Sequence, residues 1–237
     1  MKKYLVGISA YNEGQKIHRT IQKFNDYALY DVLVLDDGST DGSLLGIDKK
    51  FPIGLIVNLK NRGAGYTTRQ TIEHAKAEGY ETIIFVSGND KDDPRDIIKL
   101  IAAIEDGYDF VQGSRYLKGG GFGKMPFYRR VATQQVHPFL FSLLTGKRVS
   151  DSTNGFRAVC MTVFGDSRIN LNQQWLDRYE LEPYLFYKAV TLGYKIKEVP
   201  VTKIYPSRKE GYTKMKPLIG WWSILRPIIY LKLGIKQ

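Results

Sequence analysis

A repeating pattern constrains this chain more than any other feature. Short, almost wholly apolar runs, each followed by a polar turn and then a helical stretch, fill residues 4–115. The runs are "YLVGISA" (4–10), the start of "DVLVLDDGSTDGS" (31–43), "IGLIVNL" (53–59), "ETIIFVSG" (81–88) and "YDFVQGSR" (108–115). A strand exposed on one face alternates apolar with polar residues, whereas near-continuous apolar runs mark strands covered on both faces. The intervening "KNRGAGYTTRQTIEHAKAEG" becomes helical and stops at Gly79, and another helix opens at Asp93-Pro94, with proline favoured in a first turn. The expected fold is therefore α/β, Rossmann-like, a mostly parallel sheet with helices on both faces.

Such sheets bind ligands beyond the carboxyl ends of their strands. Polar residues gather at those ends here: Tyr11, Asn12 and Glu13; Asp36 and Asp37; Asn61 to Gly65; Ser87 to Asp93; Ser114 and Arg115. Further on, residues 127–145 read as an aromatic-rich amphipathic helix, "DSTNGFRAV" (151–159) as a turn entering a strand, 178–193 as a helix and 194–205 as a strand. The tail, "PLIGWWSILRPIIYLKLGIKQ", is apolar but interrupted by Gly220, Arg226, Pro227 and Lys232. Trp221, Trp222 and Tyr230 suit a membrane–water interface and Arg226 and Lys232 anionic headgroups, the bland alternative being a tail folded back as core.

Composition narrows the function. One cysteine, Cys160, cannot form an internal disulfide and fits a reducing compartment. The start lacks a signal-peptide pattern, and no run of about 18 apolar residues suggests a membrane span, so a cytoplasmic protein is expected. The net charge of +11 is concentrated in "RYLKGGGFGKMPFYRR" (115–130) and "KIYPSRKEGYTKMK" (203–216). These glycine- and tyrosine-rich basic segments suit phosphates; the bland alternative is a solvated surface. His18, His74 and His137 are scattered and make no zinc site with one cysteine. Ser9 and Ser114 lack the glycines of a nucleophile elbow.

The adjacent aspartates of "DDGSTDGS" could accept hydrogen bonds from a base or ribose, or merely form a turn with Ser39 or Asp41 as helix cap. "NRGAGYTTRQ" offers glycines before a helix, a weak phosphate-cradle signal without a P-loop lysine. In order, "VGISAYNE", "VLVLDDGSTDGS", "NRGAGYTTRQTIEHA", "GSRYLKGGG", "DSTNGFR", "KIKEVPV" and "RKEGYTK" resemble the motifs of family 2 glycosyltransferases. The branch they most resemble is the dolichyl- or polyprenyl-phosphate mannose synthases.

The resemblance implies a GT-A fold over residues 1–216, with a donor half (1–115), an acceptor half (116–216) and an amphipathic C-terminal segment (217–237). It implies a nucleotide-diphosphate-sugar donor, a polyprenyl-phosphate acceptor, inversion at the anomeric carbon, and peripheral contact with the inner face of an anionic membrane, without nucleic acid. By position, Ser9, Tyr11, Glu13, Leu35 and Asp37 would line the nucleotide pocket. Arg115, Arg208 and Lys214 would meet donor phosphate, and Arg129 and Thr133 the acceptor phosphate. If the acceptor were instead a glycan hydroxyl, a base would be needed, with Asp151 and Glu182 the candidates. A catalytically silent basic protein docking on membrane is the reading from another class.

The departure from the family lies after the fourth strand. Its usual Asp-x-Asp, which holds Mg²⁺ or Mn²⁺ with the donor diphosphate, is Ser87, Gly88 and Asn89 here, followed by Asp90, Asp92 and Asp93. Either the metal site has slid, with Asn89 and Asp90 nearest the ion, or cations from Arg115, Arg208 and Lys214 take over part of its work.

Overall fold

The computed structural model describes residues 2–205 and 219–237. Among these, β1 (Lys2–Ala10), β2 (Asp31–Asp36), β3 (Gly54–Val57), β4 (Tyr80–Ser87), β5 (Phe110–Ser114), β6 (Arg157–Cys160) and β7 (Ile196–Pro200) form one sheet, ordered β3-β2-β1-β4-β6-β5-β7. Its pairs are parallel except at β6, which runs antiparallel to both β4 and β5. The helices are α1 (Gln15–Lys23), α2 (Ile47–Lys50), α3 (Ala64–Glu78), α4 (Ile97–Glu105), α5 (Phe127–Val131), α6 (His137–Thr145), α7 (Met161–Phe164), α8 (Leu181–Thr191) and α9 (Ile219–Lys232). A π-helical turn, Ala132–Val136, joins α5 to α6, so 127–145 is one winding stretch.

The inner strands are buried on both faces, as their unbroken apolar runs require, while the edge strands β3 and β7 are only partly covered. Val6, Ile8 and Val34 face one cluster with Ile17 and Ile21 of α1 and Leu100 of α4. Leu5, Leu33 and Leu35 point the other way, onto Ile72 and Ala75 of α3. Each such side chain contributes roughly 1.5–3 kcal/mol by leaving water. In the second half, Phe186 of α8 stacks between Phe110 and Phe141, at centroid distances of 5.1 and 4.7 Å.

The tail departs from expectation. Pro217, Gly220 and Pro227 argue against a long straight helix, yet α9 continues through Pro227. Packing outweighs the lost backbone bond: α9 lies on α8 and α6, Ile228 is fully buried, and Arg226 pairs with buried Glu180 at 2.5 Å. No described helix is long and apolar enough to cross a membrane.

Candidate active site

A cavity of about 630 Å³ opens beyond the carboxyl ends of β1, β2 and β4. Ser9 closes β1 and lines it, as do Tyr11 and Glu13 in the turn leading to α1. Gly88 brings the end of β4 against β1: its N–H donates to the Ser9 carbonyl at 2.8 Å, and a Cβ there would stand 2.8 Å from Ile17.

Asp37 also lines this wall, and its carboxylate organises the loop before α3. Oδ1 accepts from the Arg62 N–H at 2.9 Å and Oδ2 from the Gly63 N–H at 2.7 Å. Gly63 has φ 108°, a conformation that favours glycine, and its added Cβ would lie 2.4 Å from the Asp177 carbonyl.

Several sequence-based assignments do not survive the geometry. Leu35 is a core side chain, 1% exposed and absent from the cavity wall. Arg115, expected to meet phosphate, touches the cavity but is buried, and its fork grips both oxygens of fully buried Asp151 at 2.6 and 2.8 Å. Its remaining bonds go to Thr153 Oγ1 at 2.7 Å and the Tyr205 hydroxyl at 3.1 Å. Asp151 is correspondingly no free base: it does not line the cavity, and its role is to hold Arg115. Glu182 does line it, partly exposed, with Arg157 at 3.3 Å. Arg208 and Lys214 lie outside the described residues.

The loop after β4 gives the sharpest correction. Asp90 adopts φ 60° and turns to α1, pairing with Arg19 at 2.5 Å and Lys23 at 2.6 Å, and it is absent from the main cavity wall. Asp92 is buried against Lys203. Asp93 caps the following turn by accepting from the Arg95 N–H at 3.0 Å. Only Asn89 reaches the cavity as an oxygen donor from this group, its Oδ1 buried without a partner among the described residues.

Sequence reasoning missed the cations that share this end of the cavity. Lys91 and Lys203 both line it and are nearly buried. Burial, with Lys203 and Arg129 beside it, pushes the Lys91 ammonium down to about 7. Lys91 lies 5.1 Å and Arg129 5.5 Å from the centroid of the Tyr205 ring. The signal was visible, since Lys91 sits inside "NDKDDP", but the surrounding carboxylates dominated the reading.

A hard divalent cation seeks a cage of oxygens, preferably with carboxylates among them. Of the loop's former ligand candidates only the neutral Asn89 amide reaches the cavity, which Lys91 and Lys203 also line. Among the described residues no cluster of acidic, histidine or cysteine side chains converges on a metal-sized site. These donors do not fit Mg²⁺ or Mn²⁺.

At the same end of the cavity, Arg129 and Thr133 share one face of the helix that begins at Phe127. Thr133 Oγ1 donates to the Arg129 carbonyl at 2.8 Å and meets the Tyr116 hydroxyl at 2.5 Å, while Arg129 Nε is buried with no partner among the described residues. His137, one turn on, accepts or donates at Ser152 Oγ (2.7 Å) and donates to the Ile224 carbonyl (3.0 Å), tying this helix to the 151–155 turn and to α9.

Comparison with known proteins identifies the family. The sequence profile of Glycosyl transferase family 2 matches residues 5–168. The polyprenol monophosphomannose synthase of Mycolicibacterium smegmatis is 26% identical over 217 residues, covering 89% of this chain and 80% of that protein. The dolichol-phosphate mannosyltransferase of Pyrococcus furiosus is 28% identical over 228 residues, 90% of this chain and 59% of that one. Among solved structures, the mannosyltransferase PcManGT from Pyrobaculum calidifontis, in complex with GDP-Man and Mn²⁺, superposes with a TM-score of 0.58 at 16% identity, over 89% of this chain and 59% of that one.

Proposed function

The chain belongs to glycosyl transferase family 2, and on that premise we propose that it moves a sugar from a nucleotide-diphosphate sugar to a polyprenyl phosphate, with inversion at the anomeric carbon. The observation that carries this reading is a single cavity whose walls include Ser9, Tyr11, Glu13 and Asp37, expected to meet the nucleotide, together with Arg129 and Thr133. Its volume, about 630 Å³, suits a ligand of nucleotide-sugar size. The names of the mycobacterial and Pyrococcus relatives, a polyprenol- and a dolichol-phosphate enzyme, support the acceptor class.

The chemistry follows from charge. An oxygen of the acceptor phosphate attacks the anomeric carbon as the bond to the diphosphate oxygen breaks, and the electron pair leaves with the nucleoside diphosphate. A phosphate acceptor is already anionic, so no base is required. Arg129 orients the acceptor phosphate through charge-assisted hydrogen bonds, and Thr133, whose hydroxyl donates to the Arg129 carbonyl, holds that turn of the helix in place. Transfer to a glycan hydroxyl is the weaker reading, because of the two candidate bases Asp151 and Glu182 only Glu182 lines the cavity. No step runs through a divalent cation.

A lipid-linked acceptor is met at a membrane surface. The outward face of the 127–145 helix supports that contact: Phe127, Tyr128, Val136, Phe139 and Leu143 are exposed, with exposed Lys124, Arg130, Lys147 and Arg148 around them. This face replaces the tail as the docking element, since α9 packs into the protein. The test is incubation with a radiolabelled UDP- or GDP-sugar and a short polyprenyl phosphate, followed by organic extraction. Label in the organic phase is the expected result; label released only as free sugar, or never transferred, would refute the assignment.

A further inference from the structure

The carboxylates after β4 are all engaged by protein: Asp90 by α1, Asp92 by Lys203, Asp93 by the turn it caps. What this loop presents to the cavity is Lys91. Its position is fixed from both sides. The Lys91 carbonyl accepts from the Ile204 N–H at 2.8 Å, and the Asp93 N–H donates to the Thr202 carbonyl at 3.2 Å. The loop is thereby sewn to the segment after β7 that carries Lys203.

Asp92 balances part of the Lys203 charge and anchors it, and Lys91 and Arg129 line the same end of the cavity. Among the described residues, Glu13 and Lys16 also act on the Lys91 charge. Several cations gathered where water is scarce repel one another, and an anion among them relieves that cost. A diphosphate leaving group is such an anion, and its developing charge must be met by positive charge in the transition state.

Resting on the transferase reading above, we propose that Lys91, backed by Lys203 and with Arg129 beside it, neutralises the donor diphosphate in place of a divalent cation, so that donor binding is metal-independent. The ammonium supplies the charge that the Asp-x-Asp metal would otherwise bring, and Asn89 Oδ1 is left to accept a hydrogen bond from the ligand rather than to ligate an ion.

The test is calorimetry with UDP and GDP, in excess EDTA and in Mn²⁺, on the full chain and on Lys91→Met and Lys91→Arg. One nucleotide should bind the native protein with affinities within about threefold in the two conditions, and Lys91→Met should weaken it about tenfold or more in EDTA, with Lys91→Arg retaining most of the affinity. Melting curves establish that the variants fold; should Lys91→Met fail to, the chelator comparison on the native chain decides alone. Binding only in Mn²⁺, or a folded Lys91→Met with native affinity in EDTA, overturns the lysine assignment and leaves the transferase reading standing. Binding of neither nucleotide in either condition overturns the donor-site reading and this proposal with it.

Discussion

Asp37 and Asp151 are both buried carboxylates, and their neighbours give them different work. Asp37 faces the cavity while holding the N–H groups of Arg62 and Gly63, so it shapes the cavity wall as well as lining it. Asp37→Ala should lower nucleoside-diphosphate affinity by about tenfold to a hundredfold, ~1.5–3 kcal/mol, and lower the melting temperature too because the loop is released. An unchanged calorimetric affinity would take Asp37 out of the site. Asp151→Asn strips the buried Arg115 guanidinium of its counter-charge, and breaking such a pair costs about 3–5 kcal/mol. The expected phenotype is a sharply lowered melt; a base would instead lose turnover at an unchanged melt. Nothing in "DSTNGFR" distinguishes the two roles, because the partner that decides them lies 36 residues earlier.

The helix through 127–145 has two faces with opposite tasks. Thr133, His137 and Phe141 recur every four residues on the buried side, and the exposed apolar row lies on the other. That amphipathicity was legible from periodicity alone. Which apolar surface belongs to the core was not, because core and membrane select the same side chains, and the tail that looked like an anchor is packed on α8 and α6. Phe139→Glu combined with Leu143→Glu should abolish co-sedimentation with anionic liposomes while leaving the melt unchanged, whereas deleting residues 217–237 should lower the melt. His137 gives the same helix a pH dependence. Burial holds its imidazole below the ordinary 6.5, against the opposing bond to the Ile224 carbonyl. Between the folded value and 6.5 the unfolded chain binds a proton that the folded chain does not, so stability is lost as pH falls through this window. Denaturant titrations from roughly pH 5 to 7 should show a shallower acid loss in His137→Gln than in the native protein.

Across the whole molecule, the seven strands were readable because strands covered on both faces need unbroken apolar runs. The reversal of β6 was not, since strand direction depends on the path taken through residues 116–156 and leaves no mark on the four residues of the strand itself. The strand-end cavity was foreseen in position, yet its charge was misread: partners of Asp90 and Asp92 lie 67 to 111 residues away in sequence. The folded-back C-terminal helix has an optical consequence. Of the three tryptophans, Trp175 packs edge-on against Tyr184, Trp222 is half exposed, and Trp221 lines the cavity. Trp221 is thus a built-in fluorophore for occupancy: a nucleotide in the cavity should quench or shift its emission, titratably and without a label. Trp221→Phe should silence that response, and Trp222→Phe should preserve it.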